Sequence, residues 1–316
     1  MDELTAPEGS PKDISNKDIE ISDPFGIAEA ALMEQVGGMD APEARAGLTA
    51  AEQAFLTGRR AMLQDAPGLA VTSLEDCIEM TRRPGCRNLL LEARARMHRG
   101  LARCSLGDAD AVNDLKWAME RFRALSPTSR EHGFAVLNLA SHHAQSGEHM
   151  MALATLSEIS RKGMFPDIIV GLSRRSAARS YAVIGDLSTA VRHHWVAWRL
   201  FCQEDTVALA ESSALHCLDL MLADVSVDAD SIERIIEDAR PRPRDGIQIH
   251  ASNPEDIAEL VVWLSPRIVT DLGGESRPDL ALLIEGCRAT GIALPDEIAK
   301  QSDQIQDPQV VQLLDV

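Results

Sequence analysis

Aromatic residues are scarce in this chain of 316 residues: phenylalanine, tryptophan and tyrosine make up 3% of it, although hydrophobic residues make up 45%. The core therefore has to be built mainly from alanine, leucine, valine, isoleucine and methionine, and an alanine-rich interior favours closely spaced helices. Long apolar runs are also absent, and the N-terminal MDELTAPEGSPKD is acidic and polar. We therefore expect neither a membrane-spanning helix nor a signal peptide.

Motifs that carry chemistry are missing as well. The six cysteines form no CxxC pair and no even framework, which predicts reduced thiols in a cytoplasmic protein. No glycine-rich phosphate loop, HExxH or GxSxG sequence occurs. Two adjacent histidine pairs, His142–His143 and His193–His194, would each point in directions about 100° apart on a helix, which predicts solvated or capping histidines rather than metal ligands. We expect no metal, no cofactor and no enzymatic activity.

Charge is distributed unevenly along the chain, whose net charge is −18. Residues 1–24 carry 2 basic and 7 acidic residues, residues 245–316 carry 4 and 13, and residues 82–199 carry 18 and 10. The overall acidity argues against non-specific binding of nucleic acid, which depends on neutralising phosphates. The basic centre instead fits an acidic partner, and we expect the acidic N-terminal residues to compete with that partner at low salt.

Composition and turn signals divide the chain into three parts. Residues 1–23 are rich in Asp, Glu, Ser and Pro without apolar periodicity, which predicts a disordered acidic tail. Residues 24–240 carry helical patterns and form the predicted repeat domain. The stretch RPRPRDG then interrupts any helix, so residues 241–316 are interpreted as a linker followed by short helices that cap the repeats.

An internal repeat dominates the predicted repeat domain. Glycines recur at Gly68, Gly107, Gly147 and Gly185, with spacings of 39, 40 and 38 residues. Small residues lie seven before each glycine and again four or five after it; they are Ala61, Gly100, Ala140 and Ala178 on the first side and Ser73, Ala111, Ala152 and Ala190 on the second. Each glycine is predicted to turn the chain between two helices, and the small residues allow those helices to cross closely. We expect the hairpins to stack on one another, because each leaves one apolar face uncovered.

This pattern of small residue, glycine and small residue resembles the tetratricopeptide repeat. The two clearest copies contain Ala178, Tyr181, Gly185, Ala190 and Ala197, and Ala140, Gly147, Ala152 and Pro166. The match departs from the family in its longer period and in its arginines at Arg96, Arg99 and Arg103, where the family has larger apolar residues. The resemblance implies an all-α, right-handed solenoid of stacked helical hairpins with a small helical C-terminal region. Another kind of helical-hairpin array is the alternative.

The resemblance also implies a binding surface. In this family the first helices of successive hairpins line a concave groove that holds ligands. Carried over to this chain, the groove would present Arg94, Asn138, Arg175 and Arg179, a set similar to the basic clamp with which some members bind peptide carboxylates. Arg175 and Arg179 share one helical face, and a planar guanidinium binds carboxylate through two hydrogen bonds.

The preferred interpretation is a non-enzymatic module that binds a protein or acidic peptide in that groove, with neither nucleic acid nor membrane as partner. A second interpretation is a regulatory or structural subunit of a larger cytoplasmic assembly, which contacts its partners through the convex face and the acidic ends. The third is an enzyme whose site is too scattered for motifs to reveal.

Overall fold

A computed structural model describes residues 48–162, 164–223, 254–270, 272, 276–300 and 305–314. Every regular element in these ranges is a helix. None of these helices is long and apolar enough to cross a lipid bilayer. The predicted acidic tail at residues 1–23 and the RPRPRDG stretch lie outside the described residues, as do residues 24–47 and 224–240 of the predicted repeat domain.

The chain divides into two compact units, Met1–Arg87 and Asn88–Val316. The first unit contains one described hairpin, formed by α1 (Ala50–Leu63) and α2 (Pro67–Arg82). The second unit contains α3 (Leu89–Ser105), α4 (Ala111–Leu125), α5 (Arg130–Gln145), α6 (His149–Lys162), α7 (Asp167–Val183), α8 (Leu187–Gln203), α9 (Val207–Ala223), α10 (Pro254–Ile268), α11 (Pro278–Thr290), α12 (Asp296–Lys300) and α13 (Pro308–Leu314).

Helices of the second unit pair in chain order. α3 packs on α4, α5 on α6 and α7 on α8, and each second helix also contacts the first helix of the next hairpin. The first helices contact one another in order as well, α3 with α5 and α5 with α7. The unit is therefore an array of stacked helical hairpins, and the predicted all-α hairpin fold is confirmed.

Three of the four predicted turns form at the glycine itself. Gly107, Gly147 and Gly185 have φ values of 70°, 79° and 88°, a left-handed conformation that glycine adopts without strain. In each turn the residue after the glycine donates its amide hydrogen to the carbonyl five residues back, for example Asp186 to Tyr181 at 3.0 Å. This bond closes the end of the first helix in the manner of a Schellman motif.

The fourth predicted turn forms within three residues of Gly68, but not at the glycine itself. Gly68 is the second residue of α2, and the left-handed residue is Asp65, with φ 54°. Gly58 of α1 and Ala70 of α2 meet where the two helices cross. The predicted small residues Ala61 and Ser73 are also buried. A Cβ atom added to Gly58 would lie 2.6 Å from the Leu74 side chain, so a larger residue at this crossing would require Leu74 to move.

A buried carboxylate explains the arginines that depart from the repeat pattern. Asp114 of α4 is 2% exposed and accepts hydrogen bonds from three arginines of α3. Arg99 donates from Nε and a terminal nitrogen at 2.8 and 2.7 Å, whereas Arg96 and Arg103 donate at 3.1 and 2.8 Å. A polar centre is thus added to the contact between α3 and α4, and removing one partner of such a cluster is costly.

The C-terminal helices cover the last described hairpin helix. α9 contacts both α10 and α11. Trp198 of α8 meets Trp263 of α10 edge-on, with their ring centroids 5.6 Å apart, and Arg199 of α8 pairs with Glu259 of α10 at 2.7 Å. Trp195 and Trp198 are fully buried, so they serve packing.

Candidate functional site

The first helices α3, α5 and α7 of the second unit contact one another in order and form a surface, here called the first-helix surface. All four sequence-predicted site residues lie on helices of this surface. Arg94 is half-buried on α3 and already takes part in an interaction within the protein. Asn138 is half-buried on α5, whereas Arg175 and Arg179 lie on α7, half-buried and exposed respectively.

The turn glycines give a common register for these helices. Arg175 and Arg179 are ten and six residues before Gly185, and the matching positions on α3 and α5 are neutral: Met97, Leu137, Leu101 and Ser141. Arg94 and Asn138 stand at other register positions. Basic residues therefore do not recur at equivalent positions of α3, α5 and α7. Among these three helices, the arginine pair occurs only on α7.

Two histidines join the arginine pair, and we call the four residues Arg175, Arg179, His194 and His216 the basic cluster. His194 projects from α8 and is 1% exposed, and its ring stacks on that of His216 of α9 with the ring centroids 5.2 Å apart. Both arginines act electrostatically on His194. The cluster thus spans α7, α8 and α9.

No described carboxylate forms an ion pair with Arg175 or Arg179. The guanidinium of Arg175 lies 5.9 Å from the centroid of the Phe201 ring, and burial followed by the positive charge of Arg179 lowers the Arg175 pKa. The buried arginines of α3, by contrast, are held by Asp114. The α7 pair is consequently available to an anionic ligand, which would relieve the repulsion between the two guanidinium groups.

His194 is the least expected member of the basic cluster. Burial, and then the positive charges of His216, Arg179 and Arg175, lower its pKa to about 3. Its Nδ1 atom is buried and has no hydrogen-bond partner among the described residues. The prediction of a solvated or capping histidine is therefore wrong for His194, because the α8 register turns the ring into the interior.

The sequence does contain a signal for this residue. His194 is nine residues after its turn glycine, and the residues that follow the other turns by eight or nine positions are Leu74, Leu115 and Leu156, all of them buried. A histidine at a position otherwise occupied by leucine indicates a buried polar group. His216 carries no such signal, because only the packing of α9 on α8 brings it to the cluster.

Metal binding is not supported at the basic cluster. Within the described ranges, no group of three or more His, Cys, Asp or Glu side chains is arranged to hold a metal ion. The two arginines would also repel a cation from the two imidazoles. An anion is the ligand that suits this charge distribution.

Two solved structures resemble this chain. A crystal structure of a Rap protein complexed with Competence and Sporulation Factor has a TM-score of 0.50 and 10% sequence identity, over 95% of this chain and 85% of that one. The apo form of RapI has a TM-score of 0.49 and 10% identity, over 92% and 83%. No family model and no curated protein matches the sequence. Rap proteins are helical proteins of tetratricopeptide repeats, and the fold of this chain is tetratricopeptide-like, as predicted.

Proposed function

We propose that this chain is a non-enzymatic interaction module that binds a protein or acidic peptide along the first-helix surface, with Arg175 and Arg179 holding an acidic group. The observation that carries the proposal is the arginine pair itself. Two guanidinium groups share one face of α7, no described carboxylate pairs with them, and both act electrostatically on the buried His194. Asn138 of the neighbouring α5 and Arg94 of α3 are proposed to contact more distant parts of the same ligand.

The fold supports this proposal in general terms. In the structurally similar Rap protein, the helical array is complexed with Competence and Sporulation Factor. An array of this kind can therefore hold a partner, while the identity of the ligand has to come from this chain's own residues. The six cysteines are all free, which fits the proposed cytoplasmic location.

A defined probe tests the site. A fluorescent peptide with several glutamates is titrated with the protein at low salt, and the anisotropy gives its affinity. We expect the double substitution Arg175→Gln/Arg179→Gln to weaken binding at least ~10-fold, because hydrogen bonds to charged groups contribute about 1.5–3 kcal/mol each. Raising the salt concentration should weaken binding to the parent protein, because screening shortens the range of the interaction.

A matched control separates the site from general electrostatics. Lys116→Gln/Lys300→Gln removes the same amount of charge from two exposed positions on α4 and α12. Binding should change by less than about twofold in this variant. An equal loss in both double variants would contradict the proposed site and leave only non-specific attraction.

A second candidate function is supported by exposed apolar residues at the hairpin turns. Leu106, Met150, Met151, Val183 and Ile184 are 54%, 67%, 53%, 65% and 45% exposed, and they lie at the three successive turns that join α3 to α4, α5 to α6 and α7 to α8. Such a row fits a subunit that docks by its edge in an assembly. If Met150→Gln/Val183→Gln releases proteins that co-purify with the native chain and Arg175→Gln/Arg179→Gln retains them, the assembly function is favoured.

A further inference from the structure

The turns that join α3 to α4, α5 to α6 and α7 to α8 lie along one edge of the second unit. The first helices α3, α5 and α7 contact one another in order, and each ends at one of these turns. Packed helices lie about 8–10 Å apart, so successive turns follow one another at about 10 Å. We call the three turn segments, residues 104–111, 145–151 and 183–188, the turn edge.

The turn edge exposes large apolar side chains at each of its three turns. Leu106 lies at the first turn, Met150 and Met151 at the second, and Val183 and Ile184 at the third, and all five are exposed. Covering them removes apolar surface from water, so a row of this kind suits a partner that contacts all three turns at once.

The charge of the turn edge is opposite to that of the chain around it. Residues 82–199 carry 18 basic and 10 acidic residues, whereas the turn edge contains four carboxylates and neither lysine nor arginine. Two of them keep 42% and 55% of their side chains exposed although each has a basic neighbour, Asp108 with Arg103 and Glu148 with His143. Exposed pairs contribute little, so a cationic partner can compete for these carboxylates. The four carboxylates are Asp108, Asp110, Glu148 and Asp186.

The spacing of the turns matches one face of an α-helix. Seven residues of a helix rise about 10.5 Å and return to nearly the same face. An extended chain covers about 10 Å in three residues, but its side chains alternate, so every third residue points to the other side. A helix with apolar residues seven apart therefore reaches all three turns with side chains of one face.

We propose that the turn edge binds a basic amphipathic helix of a partner protein. One apolar residue of that helix covers each turn, and lysine or arginine residues beside it contact the carboxylates. The inference rests on the second candidate function, docking by the edge, and gives the partner its chemistry. A second copy of the turn edge does not fit, because two acidic edges repel each other, and an anionic membrane is repelled for the same reason.

A designed probe tests this surface. The probe helix is a synthetic, fluorescently labelled sequence of about three heptads, with leucine at every seventh position and lysine beside it. We expect Met150→Gln/Val183→Gln to weaken its binding at least ~10-fold, because two apolar contacts are lost. Asp108→Asn/Glu148→Gln should weaken it at least ~3-fold, and less at high salt. A permuted probe of the same composition, without the seven-residue spacing, should bind at least ~10-fold more weakly.

Matched controls separate the turn edge from general stickiness and charge. Leu125→Gln/Met164→Gln changes two exposed apolar residues at the opposite edge of the same hairpins, where α4 leads to α5 and α6 to α7. Glu120→Gln/Asp219→Asn removes two exposed carboxylates from α4 and α9, outside the turns. Each control should change the affinity by less than about twofold. Far-UV circular dichroism should give every variant the helix content of the parent.

The outcomes distinguish this inference from both candidate functions. Equal losses in edge and control variants, or equal binding of the probe helix and its permuted form, overturn it. If the probe helix does not bind but Met150→Gln/Val183→Gln still releases co-purifying proteins, docking by the edge stands and the proposed partner chemistry is wrong. A dimer of the parent that this variant dissociates identifies a second copy as the occupant and also overturns it. Arg175→Gln/Arg179→Gln should leave the affinity for the probe helix unchanged.

Discussion

Replacing Gly133 with alanine tests how closely successive hairpins stack. Gly133 lies on α5, and a Cβ atom at this position would be 2.4 Å from Cγ2 of Ile169 and 3.0 Å from its Cγ1. Ile169 is fully buried near the start of α7, and its branched side chain has little rotational freedom with which to move away. An alanine at this position should therefore disturb the packing of α5 against α7.

The expected magnitude follows from two opposing contributions. Alanine is favoured over glycine inside a helix by about 1 kcal/mol, and overpacking a tight interior costs about 1–3 kcal/mol. The difference leaves Gly133→Ala with an expected loss of up to about 2 kcal/mol of unfolding free energy. Gly68→Ala is the matched control, because no atom lies within 4 Å of its added Cβ and only the helix preference remains. It should gain about 0.5–1 kcal/mol.

Urea unfolding provides the assay. Tryptophan fluorescence follows the second unit, which contains all four tryptophans of the chain, and far-UV circular dichroism follows the helices of both units. Ile169→Ala removes both clashing atoms and should cost about 2–5 kcal/mol by itself. Its cost should be about 1–3 kcal/mol smaller when Gly133→Ala is already present. The reasoning is refuted if Gly133→Ala stabilises the protein as much as Gly68→Ala does.

Four further predictions concern other features. Asp114→Asn should cost about 3–5 kcal/mol in urea unfolding because it leaves buried arginines without their carboxylate, whereas Asp108→Asn, at an exposed position, should cost less than about 1 kcal/mol. Ala178→Leu should cost about 1–3 kcal/mol at the crossing of α7 and α8; a thermal midpoint equal to that of the parent would place Ala178 outside this crossing. The pKa of His194 is about 3 in the folded chain, below its unfolded value, so the unfolded state binds more protons and stability should fall as the pH drops from about 6.5 towards 3. In thermal unfolding, His194→Gln should reduce this loss of stability at low pH. A pH profile equal to that of the parent would contradict the role of His194. Removal of residues 1–23, which are acidic, should tighten peptide binding at low salt but not at high salt; equal affinities at low salt would exclude competition by that segment.

The helical hairpins and three of their turns could be predicted because their causes are local. The turn at Gly185 depends on a left-handed glycine and on a hydrogen bond that spans five residues, from Asp186 to Tyr181. All of these residues are close together in the sequence. The same logic explains why the first turn lies three residues before Gly68. Aspartate also tolerates the left-handed conformation, so Asp65 could take the turn while the nearby glycine stayed in α2.

The sequence contains a second small-residue position on each first helix. Ala93, Gly133 and Gly171 each lie fourteen residues before a turn glycine, and a Cβ atom on Gly171 would be 2.7 Å from the Phe201 ring. These residues let the start of each first helix approach its neighbours. The repeat could therefore have been defined by two small positions on the first helix rather than one.

The sequence by itself determined the all-α hairpin fold, the positions of most turns and the excess of basic residues in the centre of the chain. It could not assign those basic residues to structural or ligand-binding roles. Only the tertiary structure placed Asp114 among the arginines of α3 and left Arg175 and Arg179 without a described carboxylate beside His194 and His216. The physical reason is that helix formation and turn stereochemistry depend on near neighbours in sequence, whereas the electrostatic state of a side chain depends on burial and on charges that packing brings from other helices.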